Sequence, residues 1–135
     1  MKKILLILAL VSGLFAEIAV IVNPGSGVDS LDASQVKKIF MAKTKKFPNG
    51  TSVVPIDQNG DSSTYITFYD KVAGKSPTKM NKYWVKLTFT GKAEAPKKVG
   101  GGSDVINLIK SNKNMIGYVD ATAVTADVKV VYKVQ

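Results

Sequence analysis

The chain has 135 residues, 19 of them basic and 10 acidic, and carries a formal net charge of +9 at pH 7. It contains no cysteine, no histidine and no arginine. Those absences exclude a disulfide framework, make a zinc or copper site improbable, and leave no means of assembling a Ser-His-Asp or Cys-His catalytic set within the chain.

The length fits one domain. At the amino end Lys2 and Lys3 precede an unbroken apolar run, Ile4 to Val11, which continues through Ser12 and Gly13 to Leu14 and Phe15. Ala16 is a small residue suited to the position before cleavage, so residues 1–16 read as an export signal. The run is too short for a comfortable membrane span; a retained amino-terminal anchor is the alternative reading. Cleavage would leave a chain starting at Glu17. Losing two lysines reduces 19 basic residues to 17, against 10 acidic ones, for a net charge of +7. With no cysteine to carry a lipid, the expected product is a soluble periplasmic protein without a stable membrane anchor.

A lysine-rich surface attracts anions by long-range steering but lacks the bidentate fork of arginine. Lys43, Lys45 and Lys46 cluster, and Lys97 and Lys98 form a pair. Aromatic residues do not alternate with these lysines as in a single-strand groove, so no nucleic-acid partner is expected.

Glu17 to Val22 is a strand candidate in which Ile18 to Val22 form a continuous apolar run, the pattern of a strand covered on both faces. Asn23-Pro24-Gly25-Ser26-Gly27 is a loop in which Ser26 and Gly27 could bring backbone N–H groups to a ligand; a plain turn uses the same residues. Ser30 or Asp32 then opens a helix with Leu31, Val36, Ile39 and Phe40 facing the core and Lys37 and Lys38 facing water. A lysine-rich connection follows from Met41 to Gly50. The next strand is expected from Thr51 to Ile56, and Asn59-Gly60 is a turn pair. Tyr65, Phe68, Tyr69 and Val72 repeat at i, i+3, i+4 and i+7, and Gly74 is a suitable stop.

Pro77 suits the first turn of another helix, with Met80, Tyr83, Trp84 and Leu87 on its apolar face. Residues 91–102 read as loop. Ser103 is expected to cap a helix carrying Val105, Ile106, Leu108 and Ile109. Its glycine-rich approach is a second possible anion cradle, or simply a flexible loop before a cap. Met115 to Val119 is a short strand, Ala121 to Val124 a single helical turn, and Val128, Val130, Tyr132 and Val134 alternate along a final half-buried strand. Alternating strands and helices predict an α/β fold, a central mixed sheet flanked by helices.

The turn from Asp57 to Thr64 holds the most chemistry. Asp61 or Ser62 can cap the helix, and Ser62, Ser63 and Thr64 place three hydroxyls beside its first N–H groups. Those groups lack intrahelical partners and carry the positive end of the helix dipole, which suits a small oxyanion such as phosphate. The same residues also serve as an ordinary cap. In α/β folds, ligands sit at the carboxyl ends of strands, where both this turn and the Ser26 loop are expected.

The order of these segments resembles phosphate-type periplasmic solute-binding proteins. Ser30-Leu31 followed by Val36-Lys37-Lys38-Ile39-Phe40 is similar to that family's Ser-Leu…Ile-Phe stretch. Phe47-Pro48-Asn49-Gly50 resembles its Trp-x-Asp-Gly turn, and Ser62-Ser63-Thr64 with Phe68 its Ser-Gly-Thr…Phe motif. Trp84, Phe89-Thr90-Gly91 and Ile116-Gly117-Tyr118-Val119 resemble its later landmarks. The resemblance implies a single lobe of a type 2 periplasmic-binding-protein-like fold, over residues 17–135. It implies export and capture of phosphate for an ABC permease. From the residues themselves no catalysis, metal or cofactor is expected, since no base, nucleophile or metal set accompanies acids such as Asp57 and Asp61. By position the resemblance makes Ser62, Ser63 and Thr64 ligand contacts; Asp61, Ser26 and Gly27, read from the residues of the two loops, complete the expected ligand-binding set. Family members typically place an arginine near the Ser-Gly-Thr turn and close two lobes over the ligand. Here there is no arginine, and length for one lobe only, so closure would fall to a second lobe or subunit. The competing reading is an interaction module whose basic face docks a partner protein or membrane surface without ligand capture.

Overall fold

A computed structural model describes residues 17–135, so the export-signal expectation for residues 1–16 lies outside the described residues. Strand β1 is Ile18–Val22, α1 Ala33–Phe40, β2 Val54–Gln58, α2 Ser63–Ala73 and α3 Pro77–Phe89. Then come β3 Lys97–Val99, α4 Gly102–Ser111, β4 Met115–Asp120, a 3-10 turn Ala121–Ala123, and β5 Lys129–Val134. The strands form one mixed sheet in the order β3-β2-β4-β1-β5. β2 runs parallel to β3 and β4, while β1 runs antiparallel to β4 and β5.

Helices cover both faces. Ile18, Val20 and Val22 of β1 join Val36, Phe40, Phe68 and Trp84 from α1, α2 and α3. Ala19 and Ile21 point the other way and join Val105, Ile106 and Ile109 of α4. A strand buried on both faces has no use for polar alternation, which is why β1 reads as an unbroken apolar run.

The helix ends follow from local chemistry. Asp32 caps α1 in a reciprocal box. Its Oδ1 accepts from the Gln35 N–H at 2.8 Å, and its own N–H donates to Gln35 Oε1 at 2.9 Å. Ser62 caps α2, and Gly74 ends it at φ 64°, a left-handed conformation that costs glycine little. Ser76 caps α3, with Pro77 in the first turn.

Four expectations are corrected. β2 lies further along than Thr51 to Ile56, because Asp57 and Gln58 continue the strand as buried residues bonded to Tyr118. β3 falls within the expected loop of residues 91–102. α4 begins at Gly102, so Ser103 lies inside the helix. The cap at Gly101 is supported by Asp104, whose Oδ2 accepts the Gly101 N–H at 3.1 Å. Along β5 the simple alternation fails. Val20 pairs with Tyr132 but Ile21 with Val130, so Val131 is bulged. Val128 and Val130 consequently pack on the α4 side, and Val131, Tyr132 and Val134 on the other.

Gly117 sets the distance between α4 and the sheet. A Cβ there would meet Val105 Cγ1 at 2.6 Å, Ile109 Cδ1 at 3.0 Å and Ile56 Cγ1 at 3.2 Å. Gly117→Ala is expected to overpack this layer and cost about 1–3 kcal/mol, read from the urea midpoint at unchanged slope. An unchanged midpoint would mean that α4 is free to move outward.

Candidate functional site

The parallel strands β2 and β3 lie side by side, yet their chains leave in opposite directions. β2 passes through Asn59-Gly60-Asp61 into α2 on one face of the sheet. β3 passes through Gly100 and Gly101 into α4 on the other. In an α/β sheet such a divergence at the carboxyl ends of neighbouring parallel strands marks the crevice where a ligand usually sits.

The α2 amino terminus stands at that crevice. The Ser62 N–H donates to Asn59 O at 3.0 Å, which closes the turn. Ser62 Oγ accepts from the Tyr65 N–H at 3.0 Å, and Ser62 O from the Ile66 N–H at 3.1 Å. The N–H groups of Ser63 and Thr64 precede the first intrahelical donor, the Ile66 N–H, and so have no partner within the helix. Ser63 is exposed and Thr64 half-buried. Thr64 Oγ1 donates to Asp120 Oδ1 at 3.2 Å, so the end of β4 reaches the same crevice. Asp61 is exposed at the rim.

A positive side chain completes the cluster. Lys98 on β3 pairs with Asp57 in the parallel ladder. Its ammonium lies 5.4 Å from the centroid of the Tyr65 ring, a cation–π distance. It would also be 3.4 Å from a Cβ on Gly60, an ordinary contact distance that places the ammonium beside the turn. Sequence reasoning noted Lys98 only as half of a basic pair. Its role depends on β3, which has too few residues to show a period.

Behind the crevice lies Asp57, 1% exposed. The Tyr69 hydroxyl donates to its Oδ2 at 2.7 Å, and the Tyr118 hydroxyl donates to its Oδ1. Burial lifts the Asp57 carboxyl to about 6. The two tyrosine hydroxyls, the Gln58 N–H and Lys98 pull it back only in part. Burial likewise pushes Tyr69 and Tyr118 well above their ordinary range, helped by the Asp57 charge, so both stay protonated as donors. Gln58 Nε2 donates to the Tyr118 carbonyl at 2.8 Å, tying β2 to β4 where their ladder ends. This buried group supports the turn from behind, out of reach of a ligand.

Of the expected site residues, the structure brings together Asp61, Ser62, Ser63 and Thr64. Ser26 and Gly27 are not with them. β1 runs antiparallel to β4, so its carboxyl end lies at the opposite end of the strands, beside the start of β4. There Asn49 Nδ2 donates to Ser26 O at 3.2 Å, and Asn23 Nδ2 caps the end of α4 through Ile109 O at 2.9 Å. The α4 amino terminus is engaged internally, since Asp104 takes the Gly101 N–H. Among the described residues, no group of three or more acidic side chains is arranged to hold a metal ion.

No protein-family model matches the sequence, and no curated protein matches it. Solved structures do. A protein assigned as a phosphate ABC transporter substrate-binding protein from Clostridium perfringens, with phosphate bound, superposes at TM-score 0.68 and 21% identity, over 86% of this chain and 45% of its own. The chain has the fold of one lobe of phosphate-type substrate-binding proteins. An ABC-type phosphate transport receptor from Vibrio cholerae gives TM-score 0.68 at 16% identity, over 86% of this chain and 46% of its own. PstS from Borrelia burgdorferi gives 0.62 at 15%, over 87% and 47%. The chain thus spans about half the length of the structures it matches. Among the described residues, no helix is long and apolar enough to cross a membrane.

Proposed function

We propose that this protein is an exported single-lobe binding protein that holds phosphate or a similar small oxyanion and serves an ABC importer. The observation that carries the reading is the α2 amino terminus. Its N–H groups at Ser63 and Thr64, without partners in the helix, and the hydroxyls of residues 62–64 stand at the crevice between diverging parallel strands. The fold is shared with proteins named for phosphate transport, one of them solved with phosphate bound.

Each group has a role in this reading. The Ser63 and Thr64 N–H groups and the Ser63 hydroxyl donate to the anion. Ser62 keeps α2 fixed by capping it. Lys98 supplies the charge that an arginine would otherwise bring. The carboxylates of Asp61 and Asp120 repel a fully ionised ligand but accept a hydrogen bond from one that keeps a proton. Hydrogen phosphate has such a proton and sulfate does not. The import role and export by residues 1–16 follow from the same reading.

Calorimetric titration with phosphate, with sulfate as the control, tests it. Phosphate is expected to bind at moderate salt and sulfate much more weakly. Ser63→Pro removes one N–H and one hydroxyl where proline is tolerated in a first helical turn, and should weaken phosphate by about tenfold or more. Lys98→Met should weaken it comparably, while Lys97→Met, with the same loss of charge, should not. Weak binding of both anions, abolished by salt and equally affected by either lysine, would reduce the site to a basic surface.

A further inference from the structure

A second feature lies at the other end of β2 and β3, away from the α2 amino terminus. A cleft of about 640 Å³ opens between the ends of α1 and α3 and the first residues of these strands. Val53, Val54, Pro55 and Pro96 give it apolar walls, and Lys45, Lys92 and Lys97 line it as well. A second hollow of about 450 Å³ adjoins it, sharing Ile39 and Thr44, and is lined by Lys38, Lys43 and Lys46. Glu94 is the one carboxylate along this joined groove. Among the described residues the only ion pair is Lys129 with Asp29, so none of the six lysines is neutralised by a carboxylate within ion-pair distance.

The apolar surface continues past the groove. Val54 is 40% exposed at its floor. On α3, Val85 is 59% exposed and Phe89 92% exposed. They stand at i and i+4, one helical face, and Thr88 and Lys92 beside them line the cleft. A large exposed aromatic next to a hollow with uncompensated charge is the composition of a contact surface.

We propose that this groove docks an acidic, extended polypeptide segment of a partner protein, with an apolar side chain seated in the larger cleft and carboxylates along the lysines. Charge complementarity selects the occupant: six lysines against one glutamate call for an anion. The paired hollows and the α3 face extend beyond the reach of a small carboxylate. The apolar walls, with Phe47 buried and Phe89 the single exposed aromatic beside the hollows, favour a polypeptide over a nucleic acid, whose successive bases call for several stacking faces. The groove and the oxyanion crevice lie at opposite ends of the same strands, so this inference does not depend on phosphate binding.

The test selects peptides from a random display library on the immobilised protein and measures the enriched peptide by fluorescence polarisation. The expected consensus combines Asp or Glu with one large apolar residue. Lys92→Glu and Phe89→Ser, both at exposed positions that spare the core, should each weaken it by about tenfold or more. Lys110→Glu, on α4 across the sheet, should leave it within about twofold, and saturating phosphate should not displace it. The proposal is overturned if no peptide is enriched, or if Lys110→Glu weakens binding as much as Lys92→Glu. It is also overturned if laurate or a thymidine single strand binds more tightly and with the same sensitivity to Lys92→Glu.

Discussion

Phe68→Ala is expected to cost about 3–5 kcal/mol and to lower the melting temperature by about 10–20 °C. Phe68 is fully buried. Its ring stacks on Tyr118 at 3.8 Å with planes 3° apart, and meets Phe40 edge-on at 4.8 Å and Tyr69 at 5.1 Å. Alanine would leave a cavity walled by three aromatic rings, each held by its own backbone and unable to collapse inward freely. Two of those rings carry the hydroxyls that bond Asp57, so the damage should extend to the carboxylate. A double-mutant cycle between Phe68→Ala and Asp57→Asn should therefore be non-additive. Phe89→Ala, at the exposed end of α3, should change stability by no more than about 0.5 kcal/mol. A thermal scan showing the two variants alike would place the core elsewhere.

The second large effect is on the pH dependence of stability. Asp57 titrates near 3.8 when the chain is unfolded and at about 6 when folded. Between those values the native protein holds the proton more tightly than the unfolded chain. Stability is therefore greatest at the acid end of this window and falls as pH rises from about 4 to about 6, by about 3 kcal/mol in all. Above about 6 both states are ionised and the loss levels off. The direction is the reverse of a salt-bridged carboxylate, because burial outweighs the hydrogen bonds. Asp57→Asn removes the titration, so its urea midpoint should be flat over the window. A wild-type midpoint that rises with pH over the same range would contradict the arrangement.

Local signals were legible in the sequence where local chemistry decides the structure. An Asp61 or Ser62 cap, the apolar period and Gly74 bracketed α2, Asp32 was one of two candidate starts for α1, and Pro77 marked the first turn of α3, whose cap at Ser76 the structure adds. The double-sided burial of β1 was also readable from its unbroken run. What escaped depends on partners distant in the chain. Asp57 and Gln58 continue β2 because Tyr118, 61 and 60 residues away, takes their side chains. The bulge at Val131 is set by pairing with β1, so nothing within β5 announces it.

The same limit applies to the candidate site. The α2 turn is local and was found. Lys98 and Asp120 reach it through β3 and β4, whose places in the sheet no motif states. Ser26 and Gly27 were grouped with it because every strand end looks alike until direction is known, and β1 runs the other way.

The most direct test of oxyanion capture at α2 is a phosphate titration followed by the backbone amide resonances of the isotope-labelled protein at moderate salt. Saturable shifts centred on Ser63 and Thr64, with smaller ones at Gly60 and Lys98 and little at Ser26 and Gly27, are the expected result. Shifts spread over the surface lysines without saturation, or none at Ser63 and Thr64, would contradict it.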